Sequence, residues 1–237
     1  MNKCIAILGA GTGLGASLAR EYGRKGYAIA LVARSLGYPQ QLAQELASQG
    51  ITVEVFSVDL RNASAVKYAI AAIQERFGFI ETLYYGPNAA EAFKPAYGLT
   101  VDDVKEKVEL FLYGLVAAVE AVLPAMRTAK TGNILVALGG SAAIGLPFMS
   151  GPGPALAAAR NYLYSLHGEL ASQGIYVGML TLSAMIKNSH WHRALASGAI
   201  EIQLPPGFEI PEVEPAFLAQ TLIKLTEERN TAELVYP

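Results

Sequence analysis

The fold turns on one stretch, Cys4-Ile5-Ala6-Ile7-Leu8-Gly9-Ala10-Gly11-Thr12-Gly13-Leu14-Gly15. Its first run is apolar without alternation, as a strand reads when both faces of its sheet are covered. Glycines at 9, 11, 13 and 15 follow at once, and Leu14–Lys25 continues as an Ala/Leu-rich helical segment. A glycine turn between strand and helix leaves backbone N–H groups free at the helix start, where an anionic diphosphate can sit. Gly9, Gly11, Thr12, Gly13, Leu14 and Gly15 are therefore candidate dinucleotide-binding residues. The plainer reading is a tight turn that seats the helix on the sheet. The strand before and the helix after favour the nucleotide.

Outward from this turn the alternation repeats. Strand-like runs at Ala28–Val32, Val53–Val58, Thr82–Tyr85, Asn133–Leu138, Tyr176–Thr181 and Leu234–Tyr236 alternate with helical stretches. Those stretches are Gln40–Gln49, Ala63–Phe77, Thr100–Met126, Ala155–Gln173 and Pro215–Arg229, with Gly26, Gly50, Gly78 and Gly174 where helices should stop. The pattern predicts an α/β, Rossmann-type doubly wound sheet of about seven parallel strands, helices on both faces, in one domain over 1–237. Segment 188–211 breaks the alternation and holds His190, Trp191, His192 and Leu204-Pro205-Pro206-Gly207. Following a late strand, it is expected to cover the cleft at the strands' carboxyl ends.

The second strand ends Val32-Ala33-Arg34-Ser35, without the carboxylate that would grip an unphosphorylated ribose. A guanidinium there can pair with a 2′-phosphate, so Arg34 and Ser35 favour NADP(H) over NAD(H). The bland alternative for Arg34 is a solvated surface cation. Asp59, followed by Leu60, is placed either to bond an adenine edge or to cap the helix near Ala63.

Composition narrows the partners. Of 237 residues 52% are hydrophobic and 16% charged, with a net charge of −2, which supports a large core and argues against disorder. No basic excess invites nucleic acid. Cys4 is alone, and His167, His190 and His192 are too few for a metal set. The apolar stretches around 110–119 and 134–138 are interrupted by Gly114, Glu120 and Gly139, short of a bilayer span. A cytoplasmic protein with a small-molecule ligand and no membrane partner is expected.

Several of these features occur together in a known family. Gly9-x-x-x-Gly13-x-Gly15, the Arg34 strand end, Val58-Asp59-Leu60, Leu123-Pro124-x-Met126, Glu169-Leu170 and Gly174-Ile175-x-Val177 resemble the short-chain dehydrogenase/reductase family over nearly the whole chain. The resemblance implies NAD(P)-linked redox chemistry on alcohols or carbonyls. It also implies a homodimer or homotetramer built through Thr100–Met126 and Ala155–Gln173. Gly86 and Pro87, standing where the family has an asparagine-rich stretch, join the implied cofactor set.

The family's usual catalytic Asn, Ser, Tyr and Lys fall, in register, on Phe111, Gly139, Pro152 and Leu156, and no Tyr-x-x-x-Lys occurs in the chain. Proline and glycine offer no side-chain proton, and leucine no charge to acidify a phenol. Ser141, Tyr84, Tyr85, Lys187 and His190 are the available substitutes, each with a packing or turn role as the plainer reading, and no catalytic residue is assigned. Two functions remain open: an NADP(H)-dependent oxidoreductase with atypical groups acting on an unidentified small carbonyl or alcohol, or a non-catalytic NADP(H)-binding sensor or regulatory protein.

Overall fold

Unbroken apolar strands need cover on both faces, and the chain supplies it by sending successive helices to opposite sides of one sheet. The computed structural model describes residues 3–88, 93–202, 204, 207 and 209–236. The sheet comprises β1 Cys4–Leu8, β2 Ala28–Ala33, β3 Val53–Ser57, β4 Ile80–Tyr85, β5 Gly132–Gly139, β6 Ile175–Leu182 and β9 Glu233–Tyr236. Its order is β3-β2-β1-β4-β5-β6-β9, every pair parallel. The chain therefore reverses direction across the sheet between β1 and β4, which opens a crevice at their carboxyl ends.

In β1, Cys4, Ala6 and Leu8 face one core and Ile5 and Ile7 the other. The first core takes α3 (Ala63–Phe77), α5 (Gly114–Ala129) and α6 (Gly153–Leu170); the second takes α1 (Leu14–Arg24), α2 (Gly37–Ser48) and α8 (Pro215–Glu228). The helix stripe Val66, Ile70 and Ile73 is wholly buried, each side chain worth about 1.5–3 kcal/mol. Gly26, Gly50, Gly78 and Gly174 end their helices with positive φ, as expected.

Three local expectations are corrected. Helix α2 begins at Gly37, with Pro39 in its first turn, rather than at Gln40. Asn62, not Asp59, caps α3, its Oδ1 accepting from the Ala65 N–H at 3.0 Å. The apolar stretch around 110–119, expected to fall short of a bilayer span, belongs to a longer apolar helix. That helix runs from α4 (Val101–Val108) through one π-helical turn, Glu109–Tyr113, into α5. The Tyr85 hydroxyl donates to the Leu110 carbonyl in that turn, and Gly114 lies where a side chain would strike the Leu60 carbonyl and the Tyr85 hydroxyl. Glu120 points outward and receives Lys67 at 2.7 Å. The 29-residue helix, with a window of mean hydropathy 1.8, is thus long and apolar enough to cross a membrane, although here it packs against α3 and α6.

Segment 188–211 holds a helix and is flanked by two short paired strands. β7 (Met185–Ile186) pairs in parallel with β8 (Glu212–Val213), and α7 (His190–Ala196) lies between them in sequence, capped by Ser189. Lys187 reaches Glu214 at 2.9 Å and His192 reaches Glu212 at 3.3 Å. Pro205 and Pro206 of the expected turn lie outside the described residues.

At the far edge, β9 is tied to α6 by Glu233, whose side chain is only 5% exposed. Arg160 grips it bidentately at 2.8 and 2.6 Å, and the Thr181 and Tyr164 hydroxyls also donate to it. Arg160 foremost, with those hydroxyls, lowers the carboxyl from 4.5 to about 2 against the opposing effect of burial. A depressed folded-state pKa contributes stability present above the unfolded value and lost as pH falls from about 4.5 toward about 2. Glu233→Gln should cost about 3 kcal/mol at neutral pH and flatten the acid limb of the stability profile, measured by urea denaturation at several pH values.

Candidate functional site

The turn between β1 and α1 closes on itself before it offers anything to a ligand. The Gly9 and Ala10 amides donate to the Val32 carbonyl at 3.0 and 3.1 Å, and the Gly11 amide to Gly9 at 2.8 Å. Ala16 and Ser17 return to the Gly11 and Gly13 carbonyls. Among the described residues no acceptor receives the amides of Thr12, Gly13, Leu14 or Gly15, and no side chain caps α1. The start of α1 is thus an unsatisfied, positively polarised end.

The glycines have separate reasons. Gly9 holds φ at +102°, and a Cβ there would lie 2.6 Å from the Gly86 carbonyl oxygen and 2.8 Å from the Pro87 nitrogen. A Cβ on Gly15 would lie 2.8 Å from the Gly9 oxygen. On Gly11 it would meet only that oxygen, at 4.0 Å, so this Cα faces open space. Gly13 lies beneath the stretch that follows β6, its hypothetical Cβ 3.2 Å from Ile186 Cγ2 and Ser189 Cβ. The loop therefore brings Gly9, Gly15, Gly86 and Pro87 into contact, with Gly86 anchored by its amide to the Leu8 carbonyl at 2.9 Å. Its free amides and the open space at Gly11 suit a dinucleotide diphosphate.

Arg34 and Ser35 are exposed just beyond β2. Among the described residues the Arg34 guanidinium makes no hydrogen bond or ion pair. Asp59 differs: Arg61 clasps its carboxylate at 2.7–3.2 Å and reaches Glu106 at 2.9 Å. Arg61 is the main reason that this carboxyl titrates low, with Arg34 a lesser one. Leu60 is buried, its carbonyl against Gly114.

Thr12 turns toward α7 and the residue before its cap. Its Oγ1 donates to the Asn188 carbonyl at 2.7 Å and accepts from Arg193 Nη2 at 2.7 Å. Neither partner was visible in the sequence, because each lies more than 170 residues away along the chain.

At the end of β5 the substitutes separate. A side chain on Gly139 would meet Leu156 Cδ1 at 3.6 Å and Ser141 Oγ at 3.8 Å; one on Gly153 would also lie 3.8 Å from Ser141 Oγ. Ser141 thus stands near Gly139, where the family's Ser would be, and near Gly153, one residue past the place of its Tyr. The Ser183 hydroxyl, just past β6, lies against Gly140. The other substitutes are engaged elsewhere. Tyr84 and Tyr85 are 2% and 1% exposed, and burial pushes both phenols up. Lys187 is held by Glu214, His190 sits exposed at the start of α7, and Phe111 is buried in the π turn. Tyr113, two residues past Phe111, is 55% exposed. His167 is structural, its Nδ1 2.7 Å from the Val177 carbonyl oxygen.

Residues 3–193 match the family model described as short chain dehydrogenase. The chain belongs to that family. It is 29% identical over 203 residues to mouse "Dehydrogenase/reductase SDR family member 7B", covering 84% of this chain and 62% of that relative, so it spans less than two thirds of that protein's length. It is 30% identical over 179 residues to "Sulfoacetaldehyde reductase 2" of Chromohalobacter salexigens, covering 75% and 70% of the two chains. Among solved structures it resembles an alcohol dehydrogenase from the archaeon Thermococcus sibiricus complexed with 5-hydroxy-NADP. That match has a TM-score of 0.81 and 24% identity over 99% and 96% of the two chains, and it establishes a shared fold. The seven-stranded parallel sheet with helices on both faces is the Rossmann-type architecture that the sequence pattern predicted.

Proposed function

We propose that this short-chain dehydrogenase family member is an NADP(H)-binding oxidoreductase acting on a small carbonyl or alcohol through catalytic groups unlike the family's usual set. One observation carries the cofactor reading: among the described residues, the unreceived amides at the start of α1 accompany an exposed, unpaired Arg34 at the end of β2. The amides of Thr12, Gly13, Leu14 and Gly15 hold the diphosphate, and Gly86 and Pro87 back the loop. Arg34, with Ser35 beside it, takes the 2′-phosphate. Asp59 and Leu60 border the adenine, the Asp59 charge partly offset by Arg61. The 5-hydroxy-NADP complex of the archaeal alcohol dehydrogenase and the reductase named among the relatives lend support.

When bound, the nicotinamide supplies or accepts the hydride. Ser141 can donate one hydrogen bond to a substrate oxygen, which orients and polarises it. Without a titrating side chain at 139, 152 or 156, the proton must come from solvent, and turnover should be slow. A second reading, NADP(H) binding without catalysis, is favoured by Leu156, whose methyl lies beside Gly139, and by the sealed phenols of Tyr84 and Tyr85.

The whole chain acts as one unit under this proposal, assembled as a homodimer or homotetramer. Val101 and Tyr113, exposed on the long helix, supply apolar surface for such contacts. A reducing, cytoplasmic setting suits Cys4, a buried lone thiol pushed up to about 12 by burial.

Cofactor fluorescence titration tests the proposal. NADPH should bind about tenfold or more tightly than NADH, as a charge-assisted phosphate contact implies. Preference for NADH, or binding of neither, overturns it. Hydride loss from NADPH across a panel of carbonyls then separates the oxidoreductase from the binding protein.

A further inference from the structure

The cover segment carries a cation of its own to the glycine loop. Its neighbours Lys187 and His192 are taken up by Glu214 and Glu212. Arg193, exposed on α7, meets no carboxylate among the described residues. It spends one donor on the neutral Thr12 hydroxyl at 2.7 Å, the same hydroxyl that donates to the Asn188 carbonyl. Ile186 and Ser189 rest on Gly13, so the segment already lies against the loop whose next amides are unreceived.

We propose that Arg193 is a diphosphate-binding residue carried by the cover segment, and that a bound dinucleotide fastens the segment over the loop. The inference rests on the dinucleotide reading above. A guanidinium held by one hydroxyl keeps most of its N–H donors free, and phosphate oxygens are stronger acceptors than a hydroxyl. Thr12 places that guanidinium beside the amides of the α1 start, where a diphosphate is most stabilised. Arg34, at the end of β2, serves a different phosphate. The two arginines are therefore distinguishable by which dinucleotides they affect.

Arg193→Gln keeps a donor for Thr12 and removes the charge. By fluorescence titration, this variant should raise the Kd of NADPH and of NADH by the same factor, about tenfold, and flatten the salt dependence of both. Arg193→Lys, which keeps the charge without the fork, should fall between. In the wild type, saturating NADPH should slow trypsin cleavage after Lys187 and Arg193 several-fold, a readout that needs no variant. Unchanged Kd values for both dinucleotides, a loss confined to NADPH, or unaltered cleavage would overturn the role given to Arg193. Wild-type protein that binds neither dinucleotide would overturn the site reading itself. Wild-type binding with an unaffected Arg193→Gln would overturn only this inference.

Discussion

Arg34→Glu is expected to weaken NADPH binding by about fiftyfold while changing NADH binding by less than about threefold. The difference has a simple origin. Only the phosphorylated adenosine places a dianion at the end of β2, and only there does the guanidinium gain a charged partner. Among the described residues the Arg34 side chain makes no bond that the substitution would break, and it is exposed, so the fold should tolerate the change. A carboxylate at 34 also adds to the negative field of Asp59, whose Arg61 clasp is already complete. The measurement is a pair of titrations against each dinucleotide, with the melting temperature of the free protein as control. Equal losses for both would place Arg34 outside the phosphate site.

Gly9→Ala should be among the most destabilising single substitutions in the chain, costing about 3 kcal/mol or more. Two penalties combine. A residue with a Cβ resists the φ of +102°, and that Cβ would stand 2.6 Å from the Gly86 carbonyl oxygen, a backbone atom that cannot swing away. The strand end, the loop and the Gly86–Pro87 turn would all have to shift. Urea denaturation should show a lower midpoint with the same slope, and dinucleotide binding should fall with it. Gly11→Ala is the contrasting substitution. Its Cβ points into open space 4.0 Å from the nearest oxygen, so stability should hold while dinucleotide binding weakens. A Gly9→Ala protein as stable as the wild type would mean that Gly86 is free to yield.

The two substitutions also separate what could be read locally from what could not. The β1 run and its glycines are local signals, and the structure follows them closely. β1 has its expected bounds, β3 stops one residue early at Ser57, and the other strands extend by one or two residues because ladder pairing continues past the runs of apolar side chains. The wrong local readings were of caps and interruptions. Asp59 and Asn62 are both good N-caps, and only the path of the chain gave the position to Asn62 and Asp59 to Arg61. Gly114 cuts the apolar run but lies inside the helix expected over Thr100–Met126, and it is a close-packing point because the Leu60 carbonyl and Tyr85 hydroxyl converge on it from other elements.

The site divides along the same line. The sequence by itself determined the parallel α/β architecture, the loop that frees the α1 amides, the cation at the end of β2, and the absence of acid and base at 111, 139, 152 and 156. These follow from residue chemistry and from neighbours only a few positions apart. The tertiary structure alone decided that Ser141 stands beside the emptied positions, that Tyr84 and Tyr85 are sealed in the core, and that Arg193 crosses to Thr12. Those contacts join segments far apart along the chain, and no periodicity encodes them. They exist because the sheet reverses between β1 and β4 and gathers the loops of distant strands around one crevice.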